Sequence, residues 1–524
     1  MSAPARHVRK VPFLTRRWGQ AVLLVVLVMA CLTSSLMAQG PRDFRSKNFL
    51  IHTDLSEDEA KQLLNELETM LSLISRYWGK PNRQTIEMYV AKDIRSWPRS
   101  VLQQMDPEGL KSIAGGGGVT MGVTTSAGGQ RYTKSTVYCT AERGVPKHEA
   151  VHAYCQQTFG TTGPLWYSEG MAEMGQYWRS DDSSVNCEDY VLDYLRRVQP
   201  KSLNDIVNPT VEVSGDSWQN YAWRWALCHL LANNTNYQAR FRPLGLAYLT
   251  NQNVTFEQVY GPMASEIIFE YLFFLNHMER GYRVDLCSWD WTARFTRLLP
   301  GRATKAKVKA AAGWQPSRML LEAGQKYDFS ASGQWKLSKD GEALTAAGAA
   351  DGSGKLVGVI FKDYKLSEPF ELGDYGTFVA PESGQLWLRC RDRWGSLADN
   401  EGEIEVTLKV YGAGEQLARP SQRLPYNSSM SMNATAGSTA SSGAASSSMS
   451  VASTTAAAEP AAPATAKSTT GSASDEAKAA SKLRQGKLLL SRDVERAKTY
   501  LQEAIDLAPN APTAAEARKL LQGL

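Results

Sequence analysis

The sequence predicts a multidomain protein in which an α+β domain is followed by an all-β sandwich, a disordered Ser/Ala/Thr-rich linker and a short α-helical C-terminal unit. Three observations carry this. Helical and strand periods alternate from about Phe44 to Trp291, and the period changes to two from about Gly313 to Tyr411. From about Glu415 to Ser474 the chain holds too little apolar bulk to fold. With 524 residues, 43% of them hydrophobic, there is enough chain for two or three domains and at least one sizeable core. The expected divisions are 1–38, 42–298, 310–412, 413–474 and 475–524.

The first division is a signal segment. Arg6, Arg9, Lys10, Arg16 and Arg17 precede the apolar run Ala21 to Leu32, and small and polar residues follow to Ala38. That run is about 12 residues long, against the roughly 20 that span a bilayer. Export is therefore expected, to the periplasm, the envelope or the exterior. Val28-Met29-Ala30-Cys31 resembles a bacterial lipoprotein cleavage box, which keeps lipidation at Cys31 open beside simple cleavage. The five basic residues of the segment account for the whole formal net charge of +5, so the remaining chain is near neutral and lacks a nucleic-acid footprint. Beyond Cys31 there are Cys139, Cys155, Cys187, Cys228, Cys287 and Cys390, an even set that permits disulfides without fixing their pairing.

Within the α+β domain, Phe49 to His52 reads as a strand, and Ser56 with Glu59 forms a capping box that opens a helix. Leu63, Leu67, Met70, Leu71 and Ile74 give that helix its apolar face, and Gly79-Lys80-Pro81 ends it. Ile86, Met88 and Val90 alternate as a further strand. The glycine run Gly115 to Gly118 lacks the Lys-Ser/Thr ending of a phosphate-binding loop and is read as flexible backbone. Val119 to Thr125 and Ser135 to Cys139 predict an antiparallel pair, the first as an edge strand along which an extended peptide can align. From Lys147 the pattern is mostly helical.

Chemistry concentrates at His148-Glu149-Ala150-Val151-His152. On a helix the two histidines share a face, so both imidazoles can reach one zinc ion. Glu149, one position along, is placed to take a proton from water as general base without being a ligand. Fourteen residues after His152 the chain reads Trp166-Tyr167-Ser168-Glu169-Gly170-Met171-Ala172-Glu173. Together the two segments resemble the gluzincin zinc metallopeptidases. That resemblance implies that Glu169 is the third metal ligand, with Glu173 as a carboxylate orienting a histidine; helical spacing by itself leaves Glu173 open as the ligand. It also implies a Tyr or His that stabilises the oxyanion, for which Tyr221 is the candidate and His229 the competitor. No aminopeptidase motif is recognisable, so endopeptidase action on a peptide or protein substrate is expected.

In the β module, Trp314, Phe329 to Trp335, Gly376-Thr377-Phe378 and Gly384 to Leu388, with Asp392, Asp399-Asn400 and Gly402, resemble the small calcium-dependent, galactose-binding bacterial lectins. That resemblance implies calcium at Asp392, Asp399 and Asn400 and a carbohydrate partner. Arg391 stands where the lectins usually carry Asn. At the end of the chain, Ala497, Leu501, Ala504 and Pro509 fall at the offsets of a tetratricopeptide repeat, which leaves open either a protein partner at the C-terminal helices or a plain helical hairpin. Against a zinc peptidase stands one alternative, an exported binding scaffold whose peptidase domain is catalytically degenerate.

Overall fold

The computed structural model describes residues 40–127, 130–142, 144–179, 182–208 and 217–412, together with 417, 483, 494–509 and 511–522. The expected signal segment, with Cys31, and the expected linker apart from Leu417 lie outside the described residues. The chain divides into two compact units between Tyr426 and Asn427.

The first unit opens with a five-stranded sheet of β1 (Arg42–Arg45), β2 (Phe49–Thr53), β3 (Ile86–Ala91), β4 (Gly118–Ala127) and β5 (Gln130–Thr140), in the order β1-β2-β3-β5-β4. The three middle strands run parallel, and β1 and β4 are antiparallel edges. Alternation sets the two faces. Phe49, Ile51, Ile86, Met88, Val90 and Val137 enter the main core, whereas Tyr89, Ala91 and Tyr138 face a smaller cluster with Trp97, Met105 and Ile113. Helix α1 (Glu57–Trp78) starts as its sequence requires: Glu59 N–H donates to Ser56 Oγ at 3.3 Å, and Ser56 N–H donates to Glu59 Oε2 at 2.8 Å. It ends at Gly79, whose φ of 71° suits glycine. Leu67, Met70, Leu71 and Ile74 are buried against the sheet.

Helix α2 (Pro107–Ala114) lies with the smaller cluster, and the rest of the α+β part is helical: α3 (Val145–Phe159), α4 (Leu165–Tyr177), α5 (Asp189–Arg197), α6 (Trp218–Asn233), α7 (Gln238–Leu249) and α8 (Ala264–His277). Among the described residues no helix is long and apolar enough to cross a membrane. All six described cysteines are buried and unpaired, so the disulfides that their even number permits do not form; each packs as a small apolar side chain.

Two further sheets complete this unit. One orders β11 (Lys365–Leu366), β10 (Leu356–Lys362), β14 (Gly384–Cys390), β8 (Gln315–Leu321) and β6 (Thr296–Arg297), with β12 (Phe370–Glu371) also on β10. The other orders β13 (Tyr375–Val379), β9 (Lys326–Lys336), β15 (Glu401–Val410) and β7 (Ala303–Lys309). Their inner faces share a core that includes Met319, Phe329, Trp335, Ile360, Leu388, Val406 and Leu408. The outer face of the first sheet is buried as well. Val357, Val359, Phe361 and Trp387 pack with Phe269 and Phe273 of α8 and with Trp289. The β module is therefore fused to the helical part through an aromatic seam rather than tethered beside it. Glu270 of α8 anchors that seam: it accepts from Trp289 N–H at 3.0 Å, Trp291 Nε1–H at 2.9 Å, Asn236 Nδ2 at 3.1 Å, and Asn234 Nδ2. Burial pushes its carboxyl up to about 7 against these bonds, which favour the ionised form.

The second unit contains α9 (Val494–Leu507) and α10 (Pro512–Leu521), which pack through Leu501, Ala504 and Ala517 with Leu483.

The seam makes a measurable statement about stability. Trp289 is 1% exposed, with its ring centroid 4.4 Å from that of Trp387 and 4.9 Å from that of Phe269. Trp289→Ala is expected to destabilise the chain by about 3–5 kcal/mol in denaturant titrations followed by circular dichroism. A loss below about 1 kcal/mol, the size of an ordinary surface substitution, would mean that the seam holds little.

Candidate metal centre

Helices α3 and α4 supply the two halves of the site. Four-residue spacing places His148 and His152 on one face of α3, and Glu169 and Glu173 on one face of α4. Gly170, next to Glu169, permits the close approach of the next layer. A Cβ there would lie 2.4 Å from Cys228 Sγ and 2.7 Å from the Arg224 carbonyl oxygen of α6. Any larger residue would push α6 away from the cluster.

The ligand atoms converge. His148 Nε2 lies 3.2 Å from His152 Nε2 and 3.2 Å from Glu169 Oε2, and His152 Nε2 lies 3.5 Å from the same oxygen. Three donors bound tetrahedrally to zinc at 2.0–2.1 Å stand about 3.3 Å apart, so these spacings fit one zinc ion without rearrangement. Among the described residues this is the one cluster of at least three His, Cys, Asp or Glu side chains close enough to hold a metal. The resolution between the two carboxylates is geometric. Glu169 faces both Nε2 atoms, whereas Glu173 Oε1 lies 2.9 Å from His148 Nδ1, on the other side of the ring. His152 Nδ1 is met by Ser168 Oγ at 3.3 Å. Each imidazole is thus held from behind with its Nε2 turned to the common point.

The electrostatics favour positive charge on the His148 imidazole and negative charge on Glu169. Burial opposes charge on His148, but hydrogen bonds to Glu169 and Glu173 outweigh it and hold the imidazole well above the usual histidine range. Burial likewise opposes charge on Glu169, and the bonds from His148 and His152 overcome it, holding the carboxyl far below the usual range.

Glu149 is 6% exposed and turns toward β4, where its Oε2 is 2.7 Å from Thr120 Oγ1. Tyr221, in the first turn of α6, has its ring centroid 5.4 Å from that of His148. Two cavities of about 1310 Å³ and 350 Å³ share Gly118, Val119, His148, Glu149 and Tyr221 as lining; the smaller also touches His152 and Glu169, and the larger runs on past Glu173 and Gln176. His229 is not part of it. That ring packs between Trp225 and Phe274 in the core, and burial pushes it down to about 4.

In the β module, Asn400 Nδ2 donates to Asp392 Oδ2 at 3.0 Å and to the Ala310 carbonyl at 3.2 Å, so Asp392 and Asn400 come together across their loop. Asp399 ends a short 3-10 turn and is exposed. Sequence reasoning did not single out Ser168 or Thr120. Ser168 carried no signal beyond its place beside Glu169, and Thr120 lies 29 residues from its partner.

No protein-family model matches the chain, and no curated protein matches it. Among solved structures it is similar to one described as "EclA N-terminal domain; PllA-like lectin", at 21% identity over 20% of this chain and 95% of that chain, with a TM-score of 0.18. A likeness of that size carries neither fold nor ligand across to this protein.

Proposed function

We propose that the chain is an exported zinc-dependent peptidase of the gluzincin type. One observation carries the reading: two imidazole nitrogens and a carboxylate oxygen stand 3.2, 3.2 and 3.5 Å apart, with a further carboxylate, Glu149, on the same helix. Zinc, held by His148, His152 and Glu169, would polarise a carbonyl and lower the pKa of water to about 7. The chain's own residues do the rest. Glu149 takes a proton at its carboxylate and passes it to the nitrogen of the departing amine. Tyr221 stands on the cleft wall, where its hydroxyl can donate to the carbonyl oxygen as negative charge develops there. Edge strand β4 offers backbone groups that align an extended substrate. The larger cavity, about 1310 Å³, adjoins the cluster and leaves room for a polypeptide substrate.

Glu149→Gln keeps the shape of the side chain and removes its basicity. It is expected to retain about one zinc per chain by atomic absorption, while kcat/KM on peptide libraries falls by roughly 100-fold to 10,000-fold. Full activity in this variant would remove Glu149 from the reaction. Glu173→Gln acts elsewhere, on the hydrogen bond to His148 Nδ1. Competition with a chelator is expected to show about 10-fold to 100-fold weaker zinc binding, and unchanged affinity would mean that Glu173 does not support the ligand.

A further inference from the structure

Strand β4 does more at the site than line the cleft. Gly118 and Thr120 are two residues apart, so they lie on one face of the strand, and both meet Glu149. Thr120 Oγ1 is 2.7 Å from Glu149 Oε2 and 2.9 Å from the Glu149 backbone carbonyl oxygen. The hydroxyl has one hydrogen for these two acceptors, and the charged carboxylate forms the stronger bond. Gly118 leaves the room the side chain occupies: a Cβ at that position would lie 2.6 Å from Glu149 Cγ and 2.9 Å from Oε1. Pairing with β5, Gly118 to Cys139 and Thr120 to Val137, fixes the height of both residues against α3.

We propose that Thr120 is a positioning residue that holds the Glu149 carboxylate by Oε2 and leaves Oε1 directed to the cleft, with Gly118 as the gap that admits it. This rests on the peptidase reading and specifies how the general base is aimed. A carboxylate on two rotatable methylenes has several rotamers available, and a bond to a strand of the sheet selects one of them. The glycine run read from the sequence as flexible backbone thus ends in a residue whose lack of a side chain is required by the base itself.

The test uses Thr120→Val, which is nearly isosteric and lacks the hydroxyl, Thr120→Ser, which restores it, and Gly118→Ala, which crowds Glu149 from the other side. In the full-length protein loaded with zinc, Thr120→Val and Gly118→Ala are expected to lower kcat on the order of 100-fold, with KM and zinc content unchanged, and Thr120→Ser to recover most of the rate. In crystal structures of the metal-free variants, the Glu149 carboxylate should be displaced in Thr120→Val and in place in Thr120→Ser. Wild-type kcat in Thr120→Val, a carboxylate still in place there, or a parallel loss of zinc would overturn the assignment. If the unsubstituted protein cleaves no peptide, the peptidase reading fails separately, and the position of Glu149 in the metal-free crystals still decides the role of Thr120.

Discussion

Two imidazole nitrogens and a carboxylate oxygen brought within 3.5 Å of one another in a largely buried place form an arrangement that lone pairs alone disfavour. Something positive must lie among them, and a proton or a metal ion is the choice. The strong upward shift at His148 and downward shift at Glu169 express the same demand. The surrounding structure serves this convergence. Glycine at position 170 lets α6 close on α4, Glu173 and Ser168 hold the two rings from behind, and the edge of the sheet fixes the neighbouring carboxylate.

A site of this kind needs stiff supports, and the fold supplies them in layers. Strands β3 and β5 are covered on both faces, by α1 and its neighbours on one side and by the cluster around Trp97 and Tyr138 on the other, and they carry β4 at the edge. Helices α6 and α8 continue the same core, and α8 passes the load to the β module through Phe269, Phe273 and Trp289. The β module thereby acts as a buttress of the helical part whatever it binds.

Local periodicity made much of this legible. The capping box at Ser56, the alternation of Ile86, Met88 and Val90, the strand pair that became β4 and β5, and the helix bearing His148 and His152 are all short-range patterns. Glu169 was legible for a different reason, a second motif at a fixed distance. What sequence reading missed depends on contacts far apart along the chain. Thr120 meets Glu149 across 29 residues, and Trp289 lies in a segment with no period before meeting Trp387 nearly a hundred residues later. Leu356 to Phe361 is apolar on both faces because both are covered, a fact that no single strand announces. The even cysteine count permitted disulfides without deciding them, because only geometry makes them, and these six thiols are placed as core side chains.

Zinc K-edge X-ray absorption on the purified mature protein tests the account most directly. The expected spectrum shows stoichiometric zinc with nitrogen and oxygen scatterers at about 2.0–2.2 Å, including the imidazole pattern of two histidines, and a changed first shell in Glu169→Ala. Protein supplied with zinc that retains none, or whose bound zinc is indifferent to substitution of His148, His152 and Glu169, would contradict it.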